Sequence, residues 1–167
     1  HDFCGDGFKA DRYGIDGCSA PNWAVPVRDR ARAFAVLTSG EGLSPARRKT
    51  AERITAAGMA HPDMVAGPDR LDTTVMTALP GKIFMKTGAE GVYCGGFPAL
   101  GIGFAMKIDD GNKRASQAVV EAIINRVIPK SGAFGSLGAI KNWVGTVTGE
   151  TRVASDLAST LDKLEVG

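Results

Sequence analysis

The hydrophobic period of this sequence changes abruptly near Pro80 and Gly81, and this change constrains the fold more than any other feature. Before it, apolar residues recur every three or four positions, which is typical of amphipathic helices. After it, short apolar runs alternate with glycine-rich turns, which is typical of antiparallel strands. The predicted helices cover 26–40, 44–60 and 69–79, and the predicted strands cover 83–85, 92–94 and 102–108.

The pattern becomes helical again over 116–128, where Val120, Ile124 and Val127 recur at helical spacing and Pro129 ends the helix. A last hairpin is predicted from strands at 143–147 and 152–154, with its turn at 148–150. Helices that flank an antiparallel sheet define the α+β class. We therefore predict a single domain over 1–167, with helices packed on an antiparallel sheet.

The composition excludes several classes of protein. With 20 Lys and Arg against 18 Asp and Glu, the net charge of +2 is too balanced for a nucleic-acid-binding surface. No apolar stretch is long enough to span a bilayer, so we expect no membrane segment. Three cysteines (Cys4, Cys18 and Cys94) are too sparse for a disulfide scaffold and are typical of a reducing compartment, which predicts a cytoplasmic protein.

Lys86, Thr87 and Gly88 lie at the end of the first predicted strand. A lysine at a strand tip, followed by a hydroxyl residue and a glycine, resembles the Lys-Thr-Gly element of serine β-lactamases and penicillin-binding proteins. There the lysine brings positive charge to the substrate, and the glycine leaves the strand edge open for a ligand. By this analogy, we expect backbone N–H groups near Gly88 to stabilise a developing oxyanion. The tripeptide alone is also common in surface turns.

A second segment joins a carboxylate and a thiol in a loop shaped by glycine and proline. Asp16 and Cys18 are two residues apart, so their side chains can point at one ligand. A thiolate with a carboxylate is a partial zinc ligand set, and a complete site needs further donors. His61 is not expected to supply one, because its place between a helix and Pro62 is typical of a surface or capping residue.

Four segments together resemble the C-terminal half of the L-asparaginases of the Rhizobium etli type, which are related to serine β-lactamases. They are Gly-Ile-Asp-Gly-Cys-Ser-Ala-Pro (14–21), Lys-Thr-Gly-Ala-Glu-Gly-Val-Tyr (86–93), Ala-Met-Lys-Ile-Asp-Asp-Gly (105–111) with Arg114-Ala115, and Asn-Trp-Val-Gly (142–145). The resemblance covers nearly the whole chain in order. It implies a serine β-lactamase-like fold that hydrolyses the side-chain amide of L-asparagine to L-aspartate and ammonia by serine and lysine chemistry.

The resemblance also implies roles for individual residues. Lys86 matches the active-site lysine of the family, and Thr87 and Gly88 would contact the substrate beside it. Cys18 matches a zinc-binding cysteine, and Asp16 matches the aspartate next to that metal. The expected partner is therefore a small molecule, L-asparagine, and the expected cofactor is zinc.

The sequence departs from the family pattern at the nucleophile. The Ser-x-x-Lys motif and the Cys-Ser-Gly-Lys segment that precede the Asp-Gly-Cys loop in the family do not occur here. Thr160 and Lys163 have the spacing, but they lie in a polar C-terminal tail. We therefore expect the C-terminal portion of a larger asparaginase-like domain, inactive alone and with an incomplete zinc site. Apolar surface that the other half would cover predicts dimerisation, exchange of a strand or segment, or poor solubility, and of these we expect a homodimer.

Two other interpretations stay open. A chain without the nucleophile also suits a non-catalytic module of the same fold that binds a ligand or a partner. The same scaffold also suits an amide or lactam hydrolase of another specificity, because a fold does not fix a substrate.

Overall fold

The structure is a computed structural model that describes residues 1–166. Its helices are α1 (Val27–Ser39), α2 (Pro45–Ala60), α3 (Pro62–Ala66), α4 (Leu71–Ala78), α5 (Lys113–Val127) and α6 (Ser155–Asp162). Its strands are β1 (Tyr13–Ile15), β2 (Pro21–Trp23), β3 (Phe84–Thr87), β4 (Val92–Phe97), β5 (Ile102–Lys107), β6 (Gly138–Lys141) and β7 (Val147–Thr151). Within these residues, no helix is long and apolar enough to cross a bilayer.

The centre of the fold is an antiparallel sheet of three strands in the order β3-β4-β5. The strands follow one another along the chain, and left-handed glycines help to turn it between them, with φ of 69° at Gly91 and 64° at Gly101. Strand β4 lies in the middle, and β3 and β5 form the two edges. The predicted α+β class, with helices packed on an antiparallel sheet, is confirmed.

One face of the sheet packs against α1 at very short range. Gly96 of β4 and Gly103 of β5 lie opposite each other in the ladder, so both point to this face. A Cβ atom at Gly103 would lie 2.1 Å from the Ala31 carbonyl oxygen, and one at Gly96 would lie 2.7 Å from the Phe34 carbonyl oxygen. Glycine is therefore required at both positions because the α1 backbone occupies the space of a side chain.

The opposite face of the sheet carries the main hydrophobic core, which α4 and α5 cover. The predicted buried stripe of α4 is confirmed: Leu71, Val75, Met76 and Leu79 are each at most 6% exposed. The core contains Leu71, Val75, Met76, Leu79, Ile83, Met85, Tyr93, Phe97, Phe104, Val120, Ile124 and Val127. Its helix and strand members come from α4, from the strands that follow the change of period near Pro80 and from the predicted helix at 116–128.

Two hairpins, β1-β2 and β6-β7, lie outside this core and are almost entirely exposed. The predicted strands at 143–147 and 152–154, with a turn at 148–150, are wrong. The turn forms around Asn142, whose side-chain oxygen accepts hydrogen bonds from the N–H groups of Val144 (3.2 Å) and Thr146 (2.9 Å). This Asx-type turn moves both strands toward the N-terminus, and it leaves Trp143 95% exposed.

The C-terminal segment, predicted as a polar tail, contains α6. Leu161 is buried at 7% exposure, and its carbonyl oxygen accepts a 2.8 Å hydrogen bond from Arg126 Nε of α5. The Thr160 hydroxyl is exposed and donates to the Asp156 carbonyl oxygen at 2.7 Å, within the same helix. The Thr160 hydroxyl is therefore engaged in a local helical bond. The Lys163 N–H donates to the Thr160 carbonyl oxygen at 3.2 Å, but within residues 1–166 no hydrogen bond joins the Thr160 hydroxyl to the Lys163 side chain.

Candidate active site

Lys86 lies near the end of β3, and its side chain is exposed. It pairs across the ladder with Cys94, which lies two residues before Gly96, so Lys86 belongs to the face that α1 covers. Its ammonium group Nζ donates a 2.8 Å hydrogen bond to the Thr87 carbonyl oxygen. The charge thus lies against the backbone of the strand end and remains accessible to a solute.

Cys94, the cross-strand neighbour of Lys86, is a buried free thiol at 4% exposure. Burial raises the pKa of Cys94, and the Arg30 guanidinium of α1 offsets part of that rise. A thiol with a raised pKa is a poor nucleophile at neutral pH. Cys94 therefore serves as a small packing residue beside Lys86 on the same face of the sheet.

The backbone N–H groups of Thr87 and Gly88 are both engaged within the protein. Gly88 donates to the Val92 carbonyl oxygen at 2.8 Å and so extends the ladder beyond β3. Because N–H groups alternate in direction along an antiparallel edge strand, that of Thr87 points away from β4. It donates to Asp72 Oδ1 at 2.7 Å. Among the described residues the N–H of Ala89 has no hydrogen-bond partner, so it is the donor nearest Gly88 that a ligand can use.

Asp72 is a fully buried carboxylate behind this strand end. It lies in the first turn of α4, where a negative charge is favoured by the helix dipole. In addition to the Thr87 N–H, it accepts a short hydrogen bond from the Tyr93 hydroxyl. Burial and this hydrogen bond raise the pKa of Tyr93 far above its usual value, while Arg70 offsets part of the rise.

Asp72 is a residue of the site that the sequence did not predict. One feature of the sequence does indicate a buried Asp72: it lies three residues before Val75 and four before Met76, so helical spacing places it on the apolar stripe of α4. A carboxylate on a buried stripe needs hydrogen-bond donors. The sequence does not say which residues supply them, since Thr87 and Tyr93 come from two later strands.

Asp16 and Cys18 meet in the turn of the β1-β2 hairpin. Asp16 Oδ1 accepts hydrogen bonds from the Cys18 N–H (2.9 Å), the Cys18 thiol (2.7 Å) and the Ala20 N–H (3.2 Å). The thiol and N–H of Cys18 hold the pKa of Asp16 below its usual range. Ser19, with φ of 65°, occupies the left-handed position of the turn. The structure thus brings the two predicted metal ligands together.

The donor set at this turn fits zinc only in part. Its thiol donates to a carboxylate, a contact that a cation can replace once the thiol loses its proton. Within residues 1–166, no group of three or more His, Cys, Asp or Glu has an arrangement that would hold a metal ion. His61 is exposed at the junction of α2 and α3, as predicted. Among the described residues, no hydrogen bond joins the β1-β2 turn to Lys86.

The fold and these residues define an α+β protein with a cationic site at the end of an edge strand and a separate thiol–carboxylate turn. Residues 1–153 match the family model of L-asparaginase II, and the chain belongs to this family. Membership supports an asparaginase-type amidohydrolase that acts on a small molecule. Among curated proteins, no match to the chain is found.

Proposed function

We propose that the protein is an L-asparaginase of the Rhizobium etli type, with a serine β-lactamase-like fold, that hydrolyses L-asparagine to L-aspartate and ammonia. The main support is Lys86, an accessible ammonium at the end of an edge strand that is held in place on both sides. This arrangement occurs in a chain of the L-asparaginase II family. Thr87 and Gly88, which follow it, would form the wall against which the substrate lies.

The proposed reaction proceeds through an acyl intermediate. A serine oxygen forms a bond to the side-chain amide carbon, the C–N bond breaks, and ammonia leaves with the proton taken from the serine. Water then releases L-aspartate and restores the serine. Lys86 would hold or transfer the proton at the nucleophile, and the Ala89 N–H would donate to the developing oxyanion.

The nucleophile is the part of this proposal that the sequence does not supply as a Ser-x-x-Lys motif. We therefore expect that the 167 residues contribute Lys86 and the substrate wall, and that they do not turn over L-asparagine alone. Asp16 and Cys18 would provide two ligands of a zinc ion, with further donors needed to complete four-coordination. When bound, zinc would fix the hairpin turn.

An ammonia-release assay tests the proposed function. The 167-residue chain is assayed for ammonia release from L-asparagine and L-glutamine and, by ultraviolet absorbance, for ring opening of a β-lactam, which releases no ammonia. Each assay is run with and without zinc, and with the chain alone or together with a Ser-x-x-Lys-bearing segment of another L-asparaginase II family member. We expect turnover of L-asparagine only when the segment is present. Turnover by the chain alone would show that one of its own hydroxyl groups can act as the nucleophile. Faster turnover of L-glutamine or the β-lactam than of L-asparagine would contradict the proposed substrate.

A non-catalytic ligand-binding module is the second candidate. It is favoured by the absence of Ser-x-x-Lys and by the hydrogen bond that engages the Thr160 hydroxyl within α6. Saturable L-aspartate binding with no ammonia release under any condition of the assay would support the module over the enzyme.

We also propose a homodimer, on the basis of apolar side chains outside the core. Tyr13 and Ile15 on β1 are 56% and 66% exposed, and Trp143 in the β6-β7 turn is 95% exposed. Burial of such side chains stabilises association. Light scattering should give twice the monomer mass, and a monodisperse monomer would contradict the proposal.

A further inference from the structure

The last residues of β3 are held from the helical side by a single buried carboxylate. Asp72 Oδ1 accepts the 2.7 Å hydrogen bond of the Thr87 N–H, and Oδ2 accepts that of the Tyr93 hydroxyl. Tyr93 lies directly opposite Thr87 in the ladder. One side chain of α4 thus bridges the edge strand and its neighbour at the point where the chain leaves the sheet.

We propose that Asp72 is a positioning residue that sets the place of the Lys86 ammonium through Thr87. The proposal rests on the proposed function, in which Lys86 meets the substrate. Lys86 Nζ donates to the Thr87 carbonyl oxygen, so the location of the amine depends on the orientation of the Thr87 backbone. Asp72 fixes that orientation from the opposite side.

The edge position of β3 makes such a tether necessary. On its inner side, the strand end is held by the Gly88-to-Val92 hydrogen bond. On its outer side, no further strand pairs with β3 among residues 1–166, so the Thr87 N–H has no partner in the sheet. Because Asp72 accepts the hydrogen bond of the Thr87 N–H, a ligand that bonds to the backbone at this strand end would have to use the N–H of Ala89 instead.

A carboxylate suits this position better than a neutral acceptor. It has two oxygens for two donors that arrive from different strands, and hydrogen bonds to charged acceptors are the stronger kind. Both Asp72 (0% exposed) and Tyr93 (1% exposed) are shielded from water, so loss of the carboxylate would leave a hydroxyl and an N–H without partners.

Glu121 provides a matched control elsewhere in the same fold. It is a buried carboxylate of α5 at 1% exposure, and it accepts hydrogen bonds from the N–H groups of Phe134 (3.0 Å) and Ser136 (2.6 Å). The variant Glu121→Ala therefore removes an equally buried carboxylate with two donors, but it leaves the end of β3 intact.

The test is amide hydrogen exchange of the 167-residue chain by NMR, together with the side-chain resonances of Lys86. In Asp72→Ala, we expect the Thr87 amide to exchange about tenfold faster or more relative to the Ile124 amide of α5, and the Lys86 side-chain shifts to move. Asp72→Asn, which keeps an acceptor for Thr87, should restore most of both. Glu121→Ala should accelerate the Phe134 amide, and it should leave the exchange of Thr87 relative to Ile124 and the Lys86 side-chain shifts unchanged.

Equal acceleration of Thr87 in Asp72→Ala and Glu121→Ala would overturn the proposal, because the effect would then be general destabilisation. Unchanged Lys86 resonances in a folded Asp72 variant would also overturn it. If Asp72→Ala does not fold, Asp72→Asn and Tyr93→Phe decide. Asp72→Asn replaces the charged acceptor of the Thr87 N–H with a weaker neutral one, whereas Tyr93→Phe leaves that contact in place. The Lys86 shift, although smaller than in Asp72→Ala, must therefore be larger in Asp72→Asn than in Tyr93→Phe.

An L-aspartate titration in the same samples keeps this inference separate from the proposed function. In the wild-type chain, the product should shift the Lys86 resonances in a saturable way, and in Asp72→Ala it should bind at least about threefold more weakly. No response in the wild type would count against the asparaginase proposal and leave the exchange result standing. A normal response in Asp72→Ala would show that Lys86 needs no tether.

Discussion

The close contact between α1 and the central sheet predicts that Gly103→Ala is strongly destabilising. A methyl group at this position would lie 2.1 Å from the Ala31 carbonyl oxygen and 2.5 Å from the Ala35 nitrogen. Both atoms belong to the helix backbone and cannot rotate away as a side chain would. The helix must therefore move away from the sheet face on which Lys86 also lies.

The size of the effect follows from overpacking. Extra methyl groups in a well-packed interior cost about 1–3 kcal/mol, and the rigid backbone contact places Gly103→Ala at the upper end, about 3 kcal/mol. With a urea m-value of about 2 kcal/mol per M, the midpoint of unfolding should fall by about 1.5 M. This is a large part of the stability of a small domain.

Urea unfolding followed by circular dichroism measures this change, and Gly14→Ala is the matched control. Gly14 lies in strand β1, has no positive φ, and would carry a methyl group with no heavy atom within 4 Å. Because alanine restricts the unfolded chain, this control should be neutral or more stable by about 0.5 kcal/mol. A Gly103→Ala variant as stable as the control would refute the packing of α1 on β5.

Three further predictions follow from buried or hydrogen-bonded groups. Because Tyr93 holds its proton more tightly in the folded chain, its contribution to stability is complete below the ordinary tyrosine pKa of 10.0 and is lost as the pH rises above it, by up to about 1.4 kcal/mol per pH unit. Tyr93→Phe should lack this loss above pH 10 in urea unfolding, whereas Tyr13→Phe, on an exposed strand, should retain it. Cys18→Ala removes the thiol donor to Asp16, so the carboxyl pKa measured by NMR titration should rise toward its ordinary value; no change would mean that the thiol bond is absent in solution. Glu121→Ala should lower the free energy of unfolding by about 3 kcal/mol because two loop N–H groups lose their buried acceptor, and a change under 1 kcal/mol would contradict that burial.

The sequence predicts the central part of the fold well because burial there leaves a periodic pattern. The stripe of Val75 and Met76 on α4 has helical spacing, and the short apolar runs that form β3, β4 and β5 are separated by glycine-rich turns, so each pattern indicates one secondary structure. Helical spacing also predicts Ile54 of α2 to point inward, yet it is 54% exposed. The buried face of that helix is made of small residues such as Ala51, for which periodicity carries little information.

Side-chain hydrogen bonds explain what the pattern did not predict. The turn of the β6-β7 hairpin is set by the side-chain oxygen Oδ1 of Asn142, a local contact that outweighs the Thr-Gly-Glu sequence at 148–150. At the site, Lys86, Thr87 and Gly88 lie at a strand end as predicted, and their proposed roles remain predictions. Asp72 is hydrogen-bonded to Thr87, which lies 15 positions later along the chain, and to Tyr93, which lies 21 positions later. No rule of sequence spacing predicts contacts of this kind.

The central claim is that Lys86 serves the hydrolysis of L-asparagine. It is tested most directly by ammonia release from L-asparagine, with the Ser-x-x-Lys-bearing segment present, for the wild type, Lys86→Met and Lys82→Met. Lys82 is an exposed lysine in the turn before β3 and controls for loss of charge. We predict turnover by the wild type and by Lys82→Met, and a loss of at least about 100-fold in Lys86→Met, the scale of a general acid–base contribution. Equal turnover by all three proteins would contradict the claim.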